Sequence, residues 1–182
     1  FVILPKKLVP LIHPLTANRI LQSFAEGILK IILFILYLSA TLLMKDQRRT
    51  YEYHGAEHKT IACLEAGLEL NVENVKKQRR FHPRCGTSFI FITLIISILV
   101  MCMVPFREPW LRVVSSLILL PVMVGISYEL IRIAGRYTNT FTRIISAPGL
   151  WIQRLTTREP DASQIETAIA AIKPCIPENP EE

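Results

Sequence analysis

The sequence predicts an all-α polytopic membrane protein with about three transmembrane helices, a cytoplasmic metal-binding helical insert and a cytoplasmic C-terminal helix. Three observations predict it. Long apolar runs lift the 182-residue chain to 51% hydrophobic and a mean hydropathy of +0.35, more apolar than a soluble domain of this size. Basic residues crowd one connection between those runs and avoid the other. Three of the four histidines fall between positions 54 and 82.

The elements follow in chain order. Residues 1–19 are Pro-rich and are expected at the membrane surface, or as the tail of an earlier span. The chain starts at Phe1 with no visible signal peptide, so a missing N-terminal region is expected. Residues 20–44 read as the first span. Ile31 to Met44 is uncharged over 14 residues, and a membrane helix needs roughly 20. The run reaches back to Ile20 if Glu26 and Lys30, spaced i, i+4, pair on one face. Lys30 must then snorkel or face protein. Residues 45–87 form the insert. Tyr53 to Ala66 reads as a helix stopped by Gly67, and Asn71 is an N-cap for a second short helix over VENVKKQ. Arg80 to Gly86 reads as a loop.

Residues 88–134 read as a membrane hairpin. Ser88 to Phe106 is 19 residues without charge, and Trp110 to Leu130 is 21 residues charged only at Arg112 and Glu129. Residues 135–182 hold an interfacial segment, FTRIISAPGLWIQRLTTREP, with Trp151 at headgroup level. A last helix starts at Asp161, with Ile165, Ala168, Ile169 and Ile172 at helical spacing. Pro174 and Pro177 end it. There is no internal repeat.

Charge sets the expected topology. The segment from Lys45 to Thr87 carries nine Lys or Arg, whereas Arg107 to Pro109 carries one. The positive-inside rule then places the insert, and with it any metal site, on the cytoplasmic side of the membrane. The net charge of +6 is read as topology, with attraction to anionic lipid as its extra consequence. The basic residues do not interleave with aromatics on one face, so no nucleic-acid partner is expected. The expected partners are the lipid bilayer and a protein partner or a second copy of the chain. Cys63, Cys85, Cys102 and Cys175 do not form a disulfide framework, because thiols stay reduced on the cytoplasmic side.

The chemistry concentrates in the insert. YEYHGAEHKTIACLEAG, residues 51–67, contains His54, Glu57 and His58 as H-x-x-E-H. On a helix the two histidines stand one turn apart on one face, close enough to hold one metal. In the inverted zinc-protease motif the Glu is the general base. Glu65 lies seven residues beyond His58 on the same side. HPRCG, residues 82–86, has the form of a zinc knuckle with His82 in place of the first cysteine. Gly86 allows the backbone that turns amides toward the Cys85 sulfur. Together, His54, His58, His82 and Cys85 make a tetrahedral set that zinc accepts. Iron or manganese suits a thiolate-containing set less well, and another divalent metal is the alternative to zinc.

YHGAEHKTI (53–61), HPRCGTSF (82–89), GISYELIR (125–132) and APGLWIQRLTTREP (147–160) resemble the YqhQ-like family. That resemblance covers about Leu4 to Ile172. It implies a bacterial membrane protein of unknown function, described as a metal-dependent enzyme, with a small further N-terminal region. The family's metal-type residues map here onto His54, Glu57, His58, His82 and Cys85.

Coordination number decides between roles. Three protein ligands leave a position open, and the chain is then a metal-dependent hydrolase at the cytoplasmic face with Glu57 as general base. Four ligands close the site, and the chain is a scaffold or biogenesis factor. A transporter or channel subunit is a third reading. Tyr128, Glu129 and Arg132, with Asn139, are candidates to lie over the metal site, and Arg84 to hold an anionic group. For Glu129 and Arg132 an i, i+3 ion pair at the interface is the plainer reading.

Overall fold

In the computed structural model, residues 3–8, 18–106, 108–137 and 139–176 are described. The expected turn residue Arg107, residues 1–2 and 9–17 of the expected surface segment, and the expected helix-ending Pro177 lie outside them. The described residues are helical, with no strand among them. Their order is α1 (Ile3–Leu8), α2 (Arg19–Thr41), α3 (Lys45–Glu65), α4 (Val72–Lys77), α5 (Gly86–Met103), α6 (Pro109–Ile118), α7 (Leu120–Arg136), α8 (Thr140–Thr156) and α9 (Ala162–Ile172), closed by a 3-10 turn at Lys173–Cys175. The chain divides into two compact units, Phe1–Ser39 with Pro83–Gly149, and Ala40–His82 with Leu150–Glu182.

The first unit carries the apolar helices. Ile20–Thr41 and Gly86–Met103 are each long and apolar enough to cross a membrane, and α6 with α7 makes a third if the bent pair is one span. On α2, Ile20, Phe24, Ile28, Ile32 and Leu36 are all exposed, at a strict i+4 spacing. Gln22, Ser23, Glu26 and Lys30 are buried on the opposite face. A helix in water puts its apolar stripe inside. This one is inverted, as burial in hydrocarbon requires. Gly27 lets α2 approach α5 closely, because a Cβ there would overlap the Ile98 side chain. Phe34 stacks on Phe91 with ring centroids 6.2 Å apart.

Two expectations change in this unit. The third apolar run is not one straight helix: α6 and α7 meet at 51°. Pro121, within the first turn of α7, cannot donate to the Leu117 carbonyl and crowds it, which breaks the ladder there. The expected Glu26–Lys30 pair is also replaced. Glu26 Oε2 accepts from Arg112 Nη2 at 3.0 Å, whereas Lys30 faces protein and is 7% exposed. Glu129 and Arg132 do pair as expected, at 3.0 Å, with both side chains more than half exposed.

The second unit is a small helical cluster in which α3, α4 and α9 pack on one another. Its core is Ala56, Cys63, Val75, Ile165 and Ile169. Burying Val75, Ile165 and Ile169 contributes about 1.5–3 kcal/mol each. Burial pushes the Cys63 thiol up from its ordinary pKa, so it behaves as a small apolar side chain. The helix ends follow local chemistry. Gly67 sits at φ +66 after the last turn of α3. There Leu68 N donates to Cys63 O at 3.1 Å and Gly67 N to Leu64 O at 2.9 Å, the paired bonds of a glycine C-terminal cap. Asn71 caps α4 through Asn74 N. Asp161 and Gln164 form a reciprocal capping box on α9, and the Gln164 amide with the Ser163 hydroxyl holds the Asp161 carboxyl below its ordinary pKa. Helix α3 runs longer than the expected Tyr53–Ala66, because KDQRRT carries no breaker and Asp46 favours the first turn. The four cysteines are free thiols, as expected.

Candidate metal centre

The site is built on α3. His54 and His58 stand one turn apart, their rings edge to face with centroids 4.4 Å apart. Chain segments from both sides press on them. His54 Nδ1 lies 2.8 Å from the Thr156 carbonyl oxygen, and His58 Nδ1 lies 2.6 Å from the Arg80 carbonyl oxygen. A carbonyl oxygen only accepts, so each ring donates from Nδ1. Nε2 is then the basic nitrogen of each neutral ring. This arrangement orients metal-binding histidines in proteins generally.

The supporting backbone is fixed in detail. Arg158 N donates to Tyr51 O at 2.8 Å, and the Arg158 carbonyl rests on Gly55, where a Cβ would overlap it. Any side chain at Gly55 would therefore push the TTREP segment, and with it the Thr156 carbonyl, off the helix. Lys59, 5% exposed, donates to the Lys76 carbonyl at 3.0 Å and pairs with Glu159 at 2.8 Å. It thereby ties both flanking segments to α3.

His82 belongs to the same neighbourhood. Its ring centroid is 6.0 Å from that of His58, and its Nε2 lies 3.1 Å from Glu65 Oε2. The Gln153 side chain clamps the His82 peptide at both ends, accepting from His82 N at 2.9 Å and donating to His82 O at 2.7 Å. Cys85 follows three residues on at the N-terminal boundary position of α5, buried at 5% exposure, with Sγ 3.1 Å from Thr87 Oγ1. His54 and His58 thus present two imidazoles on one face of α3, and Cys85 is the thiol of the expected donor set. Two imidazoles and a thiolate form a donor set that zinc accepts.

Glu57 is exposed and lines a groove with Tyr53, Ile61 and α9 residues including Ala168 and Ile172. Glu65, by contrast, is the carboxylate at a histidine. Arg84 lays its side chain against Gly135 of α7. Tyr128, Glu129 and Arg132 are exposed on α7. Sequence reasoning missed the carbonyls of Thr156 and Arg80, which carry no side-chain signal, and the Gln153 clamp. A lone glutamine in the apolar stretch LWIQRL was the available clue to the latter.

A family model described as "Protein of unknown function (DUF1385)" matches residues 1–178. The "Uncharacterized protein YqhQ" of Bacillus subtilis (strain 168) is 41% identical over 173 residues, which is 93% of this chain and 54% of that protein. The chain thus spans about half the length of this curated relative. No solved structure matches the chain. With a family match along almost its whole length and this relative beside it, the chain belongs to the DUF1385, YqhQ-like family of proteins of unknown function.

Proposed function

We propose that this is an integral membrane metal-binding protein that holds one zinc ion on His54, His58 and Cys85 and acts as a metal-dependent hydrolase at the cytoplasmic membrane face. The carrying observation is the pair of Nδ1 contacts to the Thr156 and Arg80 carbonyls. They set both imidazoles in the tautomer a metal needs, with Nε2 as the lone-pair nitrogen. Three protein ligands leave a coordination position open. The metal would supply Lewis-acid chemistry there. Two carboxylates of α3 can serve as general base: Glu57, beside His58 in the chain and exposed on its groove, and Glu65, at His82 Nε2.

A second reading rests on His82, buried at 7% exposure with its peptide clamped by Gln153. Such a fixed histidine suits a fourth ligand, which would close the centre and make the chain a scaffold.

One experiment separates the two readings. Full-length protein and its Glu57→Gln, Glu65→Gln and His82→Ala variants are assayed for bound zinc and for turnover of fluorogenic peptide and phospholipid-ester reporters. The hydrolase reading expects zinc to stay bound in all four, and turnover to fall about 10²–10⁴-fold in one glutamine variant. Loss of zinc in His82→Ala, with no zinc-dependent turnover of either reporter by the unsubstituted protein, would establish the scaffold reading instead.

A further inference from the structure

The first unit buries a charge cluster that the metal centre does not use. Arg112 is 0% exposed, Glu26 2% and Lys30 7%. Arg112 Nη2 donates to Glu26 Oε2 at 3.0 Å and to Ser23 Oγ at 2.9 Å, and Nη1 donates to the Phe106 carbonyl at 3.3 Å. Ser23 Oγ donates in turn to the Met101 carbonyl at 3.2 Å, and Gln22 Nε2 to Glu26 Oε1 at 3.3 Å. One cation and one carboxylate are thus matched and hydrogen-bonded.

Lys30 is the surplus. It lies one turn beyond Glu26 on the buried face of α2, within electrostatic range of both Glu26 and Arg112. It has no hydrogen-bond or ion-pair partner among the described residues. A helical side chain leans toward its own N-terminus, which points the Lys30 stem back toward that pair. A buried ammonium without a partner costs several kcal/mol. The unit cannot answer it internally. Glu26 is the first acidic residue of the chain, and the unit's other acids are Glu108 and Glu129 alone. Glu108 is exposed, and Glu129 is taken by Arg132. The cluster also lies at the level of the Met101 and Phe106 carbonyls, where α5 ends, so the head of a lipid is within its reach.

We propose that Lys30 and Arg112, braced by Glu26 and Ser23, form an anion-binding site at one end of the membrane helices that takes a phosphate monoester or diester group. The ligand closes the charge balance of the unit: two cations face one carboxylate and one phosphate. Because α2 supplies Lys30 and α6 supplies Arg112, binding also tightens the packing of these helices.

The test uses full-length protein in neutral detergent, stripped of lipid and then offered phosphatidylglycerol, phosphatidylcholine or inorganic phosphate, with retention read by native mass spectrometry and stability by Tm. One phosphatidylglycerol retained per chain, with phosphatidylcholine washed away, is the expected result. Lys30→Met is expected to cut that retention about tenfold, the worth of one charge-assisted contact, while Lys30→Arg keeps it. An equal rise in Tm with inorganic phosphate assigns the site to free phosphate, and a rise with the lipid alone assigns it to a headgroup. Equal retention of the two lipids, with no Tm response to phosphate, overturns the proposal. So does unchanged phosphatidylglycerol retention in Lys30→Met. Should Lys30→Met fail to fold, the lipid comparison on the unsubstituted protein decides alone.

Discussion

Replacing His58 by alanine is expected to bring bound metal from about one ion per chain to about a tenth or less, since even losing a group that merely orients a ligand costs 10–100-fold in affinity. His58 is 4% exposed, and the Arg80 carbonyl fixes its ring. Alanine removes the donor and leaves that carbonyl without its imidazole. The helix itself should survive, because alanine is the best helix former and the core of Ala56, Cys63, Val75, Ile165 and Ile169 does not include the ring. Far-UV circular dichroism should therefore stay unchanged while metal, measured by mass spectrometry, disappears. Cys63→Ser is the matched control. Its thiol is buried in that apolar cluster and pushed away from ionisation, so metal content should not respond.

Arg112→Met carries the largest expected effect on stability, about 3–5 kcal/mol, the usual cost of leaving one partner of a buried ion pair alone. The methionine fills much of the volume, so the loss is electrostatic: Glu26 stays buried without its ion-pair partner, keeping the Gln22 amide as hydrogen-bond donor and Lys30 one turn away. Arg132→Met is the comparison. The Glu129–Arg132 pair is more than half exposed on both sides, and exposed pairs are worth about 0–1 kcal/mol. Thermal unfolding in detergent should separate the two variants clearly. Equal Tm values would mean that the Glu26–Arg112 pair does not brace the membrane helices.

Features with a local cause were legible in the sequence. Gly67 ends α3, Asn71 caps α4 and Asp161 caps α9, because each residue's conformational preference acts within a few positions. The apolar runs of α2 and α5 were legible for the same reason: hydropathy needs no partner. The pairing of Glu26 with Arg112 was not, because the two stand 86 residues apart, and i, i+4 logic favoured the nearer Lys30. The break at Leu119 was overlooked although Pro121 marked it. In the candidate site, the His54 and His58 spacing was visible, but the carbonyls that orient them were not. The TTREP segment read as interfacial, while in the fold its Thr156 carbonyl meets His54 and its Glu159 meets Lys59. Glu65 was legible as a carboxylate on the histidine side of α3, whereas its contact with His82, 17 residues on, was not.

X-ray absorption at the metal edge of the purified full-length protein tests the central claim most directly. The claim predicts about one zinc per chain, bound by two imidazoles, one sulfur and one light atom, with the sulfur signal lost in Cys85→Ser. A protein that purifies without metal, or a metal shell containing neither imidazole nor sulfur, would contradict it.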